Sequence, residues 1–275
     1  MLIDTVLWLK AIITIVNEEI LNEIKNQDYN KISKRIQNSI KEKISQIGSN
    51  GIIFGLSGGV DSAVLAYLCA VVIKEKTTAV IMPDSKVSPE TETNDALNIV
   101  DGLKLNYKLI DINQIHNEYY KILEPEDRAL GNLRARIRKN ILYYYANSKN
   151  LTVLGSSDRS EYLIGYFTKF GDGASDVLPI ASLYKTQIRE LAKFLGISDQ
   201  IISKKSSPHL WLNHDAESEI GTSYENIDVI LYCMMDKKLT RDEISEQTKI
   251  KPEAIEKIYQ LYKKSEHKRI TANIL

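Results

Sequence analysis

The chain has 275 residues, 43% hydrophobic and 26% charged, a balance that fits a globular protein with a sizeable core and excludes disordered and fibrous classes. Lys plus Arg and Asp plus Glu both total 36, so no net charge draws the chain to nucleic acid or an anionic membrane. Cys69 and Cys233 stand among apolar residues and form neither a disulfide framework nor a zinc set, so both are expected to be buried, reduced thiols.

The N-terminal stretch 6–16 is apolar but too short to span a bilayer, and Asp4 and Lys10 interrupt it. Leu2, Val6, Leu9, Ile13, Val16 and Ile20 recur at the helical period, which predicts an amphipathic helix and a cytoplasmic chain. A second helix is predicted over 29–47, ended by Gly48 and Gly51. The apolar run 52–54 is a strand, 61–73 a buried helix and 78–81 a strand. There follow a helix at 89–100, a strand at 107–110, helices at 112–123 and 129–146, and a strand at 151–154. This alternation predicts an α/β fold with a doubly wound parallel sheet. Residues 155–176 are polar, glycine-bearing and too long for a simple connection, which marks a functional loop. Helices resume at 183–194; 204–219 is irregular, and helices at 227–235, 241–248 and 252–264 close the chain. The expected organisation is one domain over 1–275: N-terminal helices at 1–47, an α/β core at 51–200, and an irregular loop with C-terminal helices at 201–275.

Between the first strand and its helix stand Gly55, Leu56, Ser57, Gly58, Gly59, Val60, Asp61 and Ser62. Glycines let backbone turn sharply against a ligand, and free amides at a helix start favour phosphate oxygens. The loop lacks the Gly-Lys-Ser/Thr ending that serves terminal phosphoryl transfer, which points to chemistry elsewhere on ATP. The plain alternative is a tight turn capped by Ser57.

Ser57 to Ser62 resembles the SGGxDS loop of the ATP-pyrophosphatase superfamily, with its adenine nucleotide alpha hydrolase-like fold, whose members release pyrophosphate while transferring AMP to a substrate oxygen. From this loop to the tail the chain is similar to the NAD synthetase family. Gly131-Asn132-Leu133-Arg134-Ala135-Arg136-Ile137-Arg138 resembles the family's N-hydrophobic-K/R-A-R-x-R helix, which implies that Arg136 contacts deamido-NAD; by the helical period Arg134 and Arg138 share another face and read as solvated side chains. Gly155-Ser156-Ser157-Asp158-Arg159-Ser160-Glu161 resembles G-T-x-x-x-x-E, implying that Ser156 contacts ATP and that Glu161 joins Asp61 in binding Mg2+. Residues 165–176 are similar to the signature GYFTKxGDGxxDxxPI, followed by LYKTQ from Leu183. By that resemblance Lys169 and Asp176 contact deamido-NAD and Lys185 contacts ATP phosphate; alone, Lys185 reads as part of a helix surface. Asp172 is the candidate acceptor for the proton of ammonium. His267 and Lys268 resemble a tail motif that reaches deamido-NAD across a dimer interface. Ser207 keeps a hydroxyl expected at ATP, but Asn213, His214 and Ala216 depart from the family's Gly, Gln and Asp, and His214 reads as a polar loop residue.

The resemblance implies an enzyme that amidates deamido-NAD with ammonia through an adenylate, using ATP as co-substrate and Mg2+ as cofactor. It also implies a homodimer, for which the face Leu133, Ile137, Ile141 and Tyr144 offers surface along with the N-terminal stripe. No nucleic-acid or membrane partner is expected. An adenylating enzyme acting on another acid, and an ATP-binding sensor without turnover, are the rival readings.

Overall fold

The apolar runs at 52–54, 78–81 and 151–154 become short strands, joined by a more polar one at 106–109, and the strands pair in parallel. The computed structural model describes residues 18–272 and 274. Residues 18–25 form α1 and Tyr29–Ile47 form α2, which Asp28 caps by accepting from Lys31 N–H at 2.9 Å and left-handed Gly48 ends. There follow β1 (Gly51–Gly55), α3 (Val60–Ile73), β2 (Thr77–Ile81), α4 (Glu90–Leu103), β3 (Asn106–Leu109), α5 (Asn113–Tyr120), α6 (Asp127–Lys149) and β4 (Leu151–Leu154). The chain continues through α7 (Arg159–Ile164), α8 (Lys185–Phe194), α9 (Asp199–Ile202), α10 (Ala216–Ile220), α11 (Tyr224–Met235), α12 (Arg241–Thr248) and α13 (Pro252–Lys264).

The sheet order is β3-β2-β1-β4, all parallel, with Ile53 opposite Thr78 on one side and Val153 on the other. Successive residues of a strand face opposite ways, so Ile52 and Phe54 join α2, α3, α4 and α8 in one core while Ile53, Val80 and Val153 meet α6 in another. Cover on both faces explains why β1 is apolar throughout and why α3, walled in, is apolar nearly all round. A third cluster, centred on Tyr224, Ile230 and Ile258, joins α11 and α13 to Ile20 and Ile24 of α1.

From β1 the chain builds outward to β3, then returns to place β4 on the other side of β1. The reversal leaves a crevice at the carboxyl ends of β1 and β4, where open α/β sheets bind ligands.

One expectation is corrected. Ile137 is buried, and Leu133 and Ile141 pack partly buried on the α6 side of the sheet, so this face covers the protein's own sheet and leaves only Tyr144 prominent, at 67% exposure. The N-terminal stripe lies outside the described residues except for Ile20, which is buried. Both cysteines are free and buried. Among the described residues no helix is long and apolar enough to cross a membrane.

Candidate active site

The loop after β1 is shaped by Gly58, whose φ of +85° is left-handed and whose missing Cβ would lie 2.2 Å from the Glu92 carbonyl oxygen. Two separate constraints thus require glycine there. The alternative, a cap by Ser57, does not form: Gly59 is the N-cap of α3, and no side chain caps it. Ser57 Oγ bonds Ser62 Oγ at 3.0 Å and accepts from Gly59 N–H at 3.3 Å. The first amides of α3 therefore keep their capacity for an anion.

These amides border a cavity of about 760 Å3, a size suited to a nucleotide-scale ligand. Gly55, Leu56, Ser57, Gly59, Val60, Asp61 and Ser62 line it, as do Ser156, Glu161, Asp172, Ser207 and Lys268. Gly58 shapes the loop from behind, and Arg136, Lys169, Asp176, Lys185 and His267 do not line the cavity. Ser207 Oγ is engaged inside its own loop, donating to the His214 carbonyl and sitting 3.2 Å from His209 Nδ1.

Lys185, at the start of α8, is fully buried rather than part of a helix surface. Its Nζ lies 2.8 Å from Asp61 Oδ2, 2.7 Å from Asp158 Oδ2 and 2.9 Å from Glu161 Oε1. Burial works against the ammonium, but Asp158, Asp61 and Glu161 together outweigh it and hold its pKa well above the ordinary lysine value. Burial pushes Glu161 up to about 8 despite Lys185, and Asp158 shifts the same way. The three carboxylates offer oxygens within 4.8 Å of one another. Asp61 Oδ1 is buried without a hydrogen-bond partner. An orphan anionic oxygen beside two more carboxylates fits a hard divalent cation.

Asp172 presents an accessible carboxylate to the cavity, and its Oδ1 accepts from Thr168 N–H at 2.9 Å. Desolvation by the surrounding protein raises its pKa, with backbone donation from Thr168 and the charge of Lys139 opposing. Outside the cavity a second group forms: Arg136 Nη2 donates to the Lys169 carbonyl at 3.4 Å, and Lys169 Nζ donates to the His267 carbonyl at 2.5 Å. Asp176 stands apart, accepting from Tyr143 O–H at 3.0 Å and Val153 N–H at 2.8 Å.

The NAD synthase family model matches residues 32–272. The chain belongs to the NAD synthase family. NH3-dependent NAD+ synthetases of Staphylothermus marinus and Hyperthermus butylicus are 45% and 46% identical to it, over 92% and 90% of this chain and 94% and 91% of theirs. Among solved structures, NMN synthetase from Francisella tularensis matches with a TM-score of 0.80 at 31% identity, covering 91% of this chain and 99% of that one. NH3-dependent NAD synthetase from Campylobacter jejuni, solved with a nitrate ion, matches with a TM-score of 0.77 at 34% identity over 90% and 99%. The fold is of the adenine nucleotide alpha hydrolase-like type.

Within this NAD synthase family member several site residues differ from their sequence reading. Arg134 and Arg138 are not solvated: Arg134 Nε lies 2.6 Å from buried Asp84 Oδ2, and Arg138 Nε donates to the Met82 carbonyl at 2.9 Å. They brace the end of β2 and its loop, and burial lowers Arg138 to about 10. His214 is a buried member of a network, not a loose loop residue. Its ring stacks on Trp211 with centroids 3.5 Å apart, and Nε2 lies 2.8 Å from Glu219 Oε2 and 3.2 Å from Tyr166 Oη. The sequence reading also passed over Asp158 and the cavity-lining Lys139. The only sequence signal for Lys139 is a charged residue on the stripe Asn132, Ala135, Lys139 and Leu142, which faces the cavity at helical spacing.

Proposed function

We propose that this chain is an ammonia-dependent NAD synthetase: ATP and deamido-NAD give an acyl-adenylate and pyrophosphate, and ammonia then gives NAD and AMP. The observation that carries this reading is one cavity holding an uncapped phosphate-type loop, a carboxylate cluster and an accessible, perturbed Asp172. In the first step a carboxylate oxygen of the acid bonds to the α-phosphorus and the bond to pyrophosphate breaks. In the second, nitrogen bonds to the acyl carbon, the carbon–oxygen bond to AMP breaks, and the nitrogen loses a proton.

The loop amides hold the polyphosphate, and Lys185 keeps Asp61, Asp158 and Glu161 gathered at its edge. Asp61 and Glu161, with Asp158 behind them, would hold Mg2+, which when bound neutralises phosphate oxygens. Asp172 takes the proton from the incoming nitrogen; its raised pKa makes it a stronger base than a surface carboxylate. Ser156 at the cavity wall supplies a further hydroxyl to the nucleotide. We read the chain as one domain that works as a cytoplasmic homodimer.

The test is an assay of the purified protein with ATP, ammonium and either deamido-NAD or the mononucleotide acid. The likeness to the Francisella tularensis NMN synthetase makes the mononucleotide acid the rival substrate. NAD, AMP and pyrophosphate are the expected products; ADP and phosphate would contradict the mechanism, and preference for the mononucleotide would replace the substrate. Asp172→Asn should lower kcat about 100-fold or more while leaving the KM for ATP nearly unchanged. An undiminished kcat would remove Asp172 as base.

A further inference from the structure

Among the lysines that line the cavity, Lys204 is held by Glu92 at 3.0 Å and Asp95 at 2.5 Å, and Lys268 donates to the Gly165 and Phe167 carbonyls at 2.8 Å each. Lys205, Lys257 and Lys264 are exposed. Lys139 differs from all of these. It is 6% exposed, and its Nζ has one neutral partner, Ser175 Oγ at 3.1 Å. An ammonium carries three donors, so two remain for a ligand. The side chain leaves α6 between Ala135 and Leu142, on the wall that also carries Asp172.

Resting on the synthetase reading, we propose that Lys139 binds the reacting carboxylate of the acid substrate. A carboxylate brought beside Asp172 meets like charge, and a cation beside both offsets that repulsion. Asp172 already attracts the Lys139 ammonium, and the charge of Asp176 adds to that attraction. After adenylation the carbonyl oxygen stays within reach of the same N–H groups. When the carbon–nitrogen bond forms, the electron pair of the carbonyl moves onto that oxygen, where a preorganised donor stabilises it. The pair returns as the bond to AMP breaks, and the nitrogen's proton goes to Asp172. Burial lowers the Lys139 pKa to about 8, so at neutral pH the ammonium form still predominates.

Product and substrate provide the test, because deamido-NAD carries the carboxylate and NAD a neutral amide. Titration calorimetry would measure both against wild-type protein and Lys139→Met, whose chain fills the same apolar slot without the charge. A charged hydrogen bond contributes ~1.5–3 kcal/mol, so K139M should bind deamido-NAD roughly 10- to 100-fold more weakly and NAD within about threefold of wild type. K139R, which keeps the charge, should retain most of the affinity. If K139M does not fold, K139Q takes its place in the same comparison. Equal losses for the two dinucleotides, or none, would overturn the assignment while leaving the synthetase reading intact. Wild-type protein that forms no NAD would instead remove that reading, and this inference with it.

Discussion

Lys185 Nζ sits 2.7 Å from Asp158 Oδ2, and neither side chain has any exposure. Asp158 also caps α7 by accepting from Glu161 N–H at 2.8 Å, so one carboxylate fixes both the ammonium and the backbone of its neighbouring acid. Removing one partner of a buried ion pair costs ~3–5 kcal/mol because the other charge remains desolvated. Lys185→Met should therefore lower the melting temperature by roughly 6–20 °C. Mg2+ should raise the melting temperature of K185M more than that of wild type, since the cation replaces the lost positive charge. A variant that melts like wild type would show that the cluster is held together by other groups.

The same carboxylates are the proposed ligands of the cation. Asp61→Asn and Glu161→Gln each remove one anionic oxygen donor at the edge of the phosphate loop while preserving side-chain volume. Each should raise the Mg2+ concentration for half-maximal activity about tenfold, the scale of a single charged contact. EDTA should abolish turnover in all three proteins. Turnover of D61N and E161Q that follows the wild-type Mg2+ curve would move the cation elsewhere.

Asp228 supplies a pH-dependent term in stability away from the cavity. It is fully buried on α11, accepting from Ser160 O–H at 2.5 Å and Thr186 N–H at 2.8 Å, and burial raises its pKa from 3.8 to about 7. A carboxyl whose folded pKa lies above its unfolded one favours the fold fully below the unfolded value and loses that contribution as pH rises through about 7. Asp228→Asn cannot ionise and still accepts a hydrogen bond. Its melting temperature relative to wild type should rise between pH 5 and pH 8; a difference that stays constant would show that Asp228 does not titrate in that range.

Periodicity revealed those parts of the fold whose burial follows from local pattern. The ranges of α2, α12, α13 and β4 coincide with their sequence reading, and β1 and β2 extend it by one or two residues. The short helices α7, α9 and α10 were hidden because four to six residues carry too little period to register. Charged side chains were misjudged for a related reason. Whether Arg134 or Lys185 is solvated depends on partners 50 and 124 residues away, Asp84 and Asp61, and no local window contains them. The phosphate loop was legible because its chemistry is local. The His214 network was not, because Tyr166, 48 residues earlier in the chain, completes it.

The outer patch bears on assembly. Arg136, Lys169 and His267 touch in sequence within one chain, whereas Asp176 bonds to Tyr143 and Val153 and to none of them. On the homodimer reading proposed above, deamido-NAD is shared between two chains, the patch coming from one protomer and Asp176 from its partner. R136A, K169A and D176A should each raise the KM for deamido-NAD about tenfold or more. Mixing R136A with K169A protein should restore nothing, because a heterodimer of these places one lesion in each site. Mixing R136A with D176A should restore activity: each heterodimer then holds one site with both lesions and one intact site, giving about a quarter of wild-type activity for random association. Sedimentation of an active monomer would rule out the shared site, and equal recovery in both mixtures would show that Arg136 and Lys169 serve different sites.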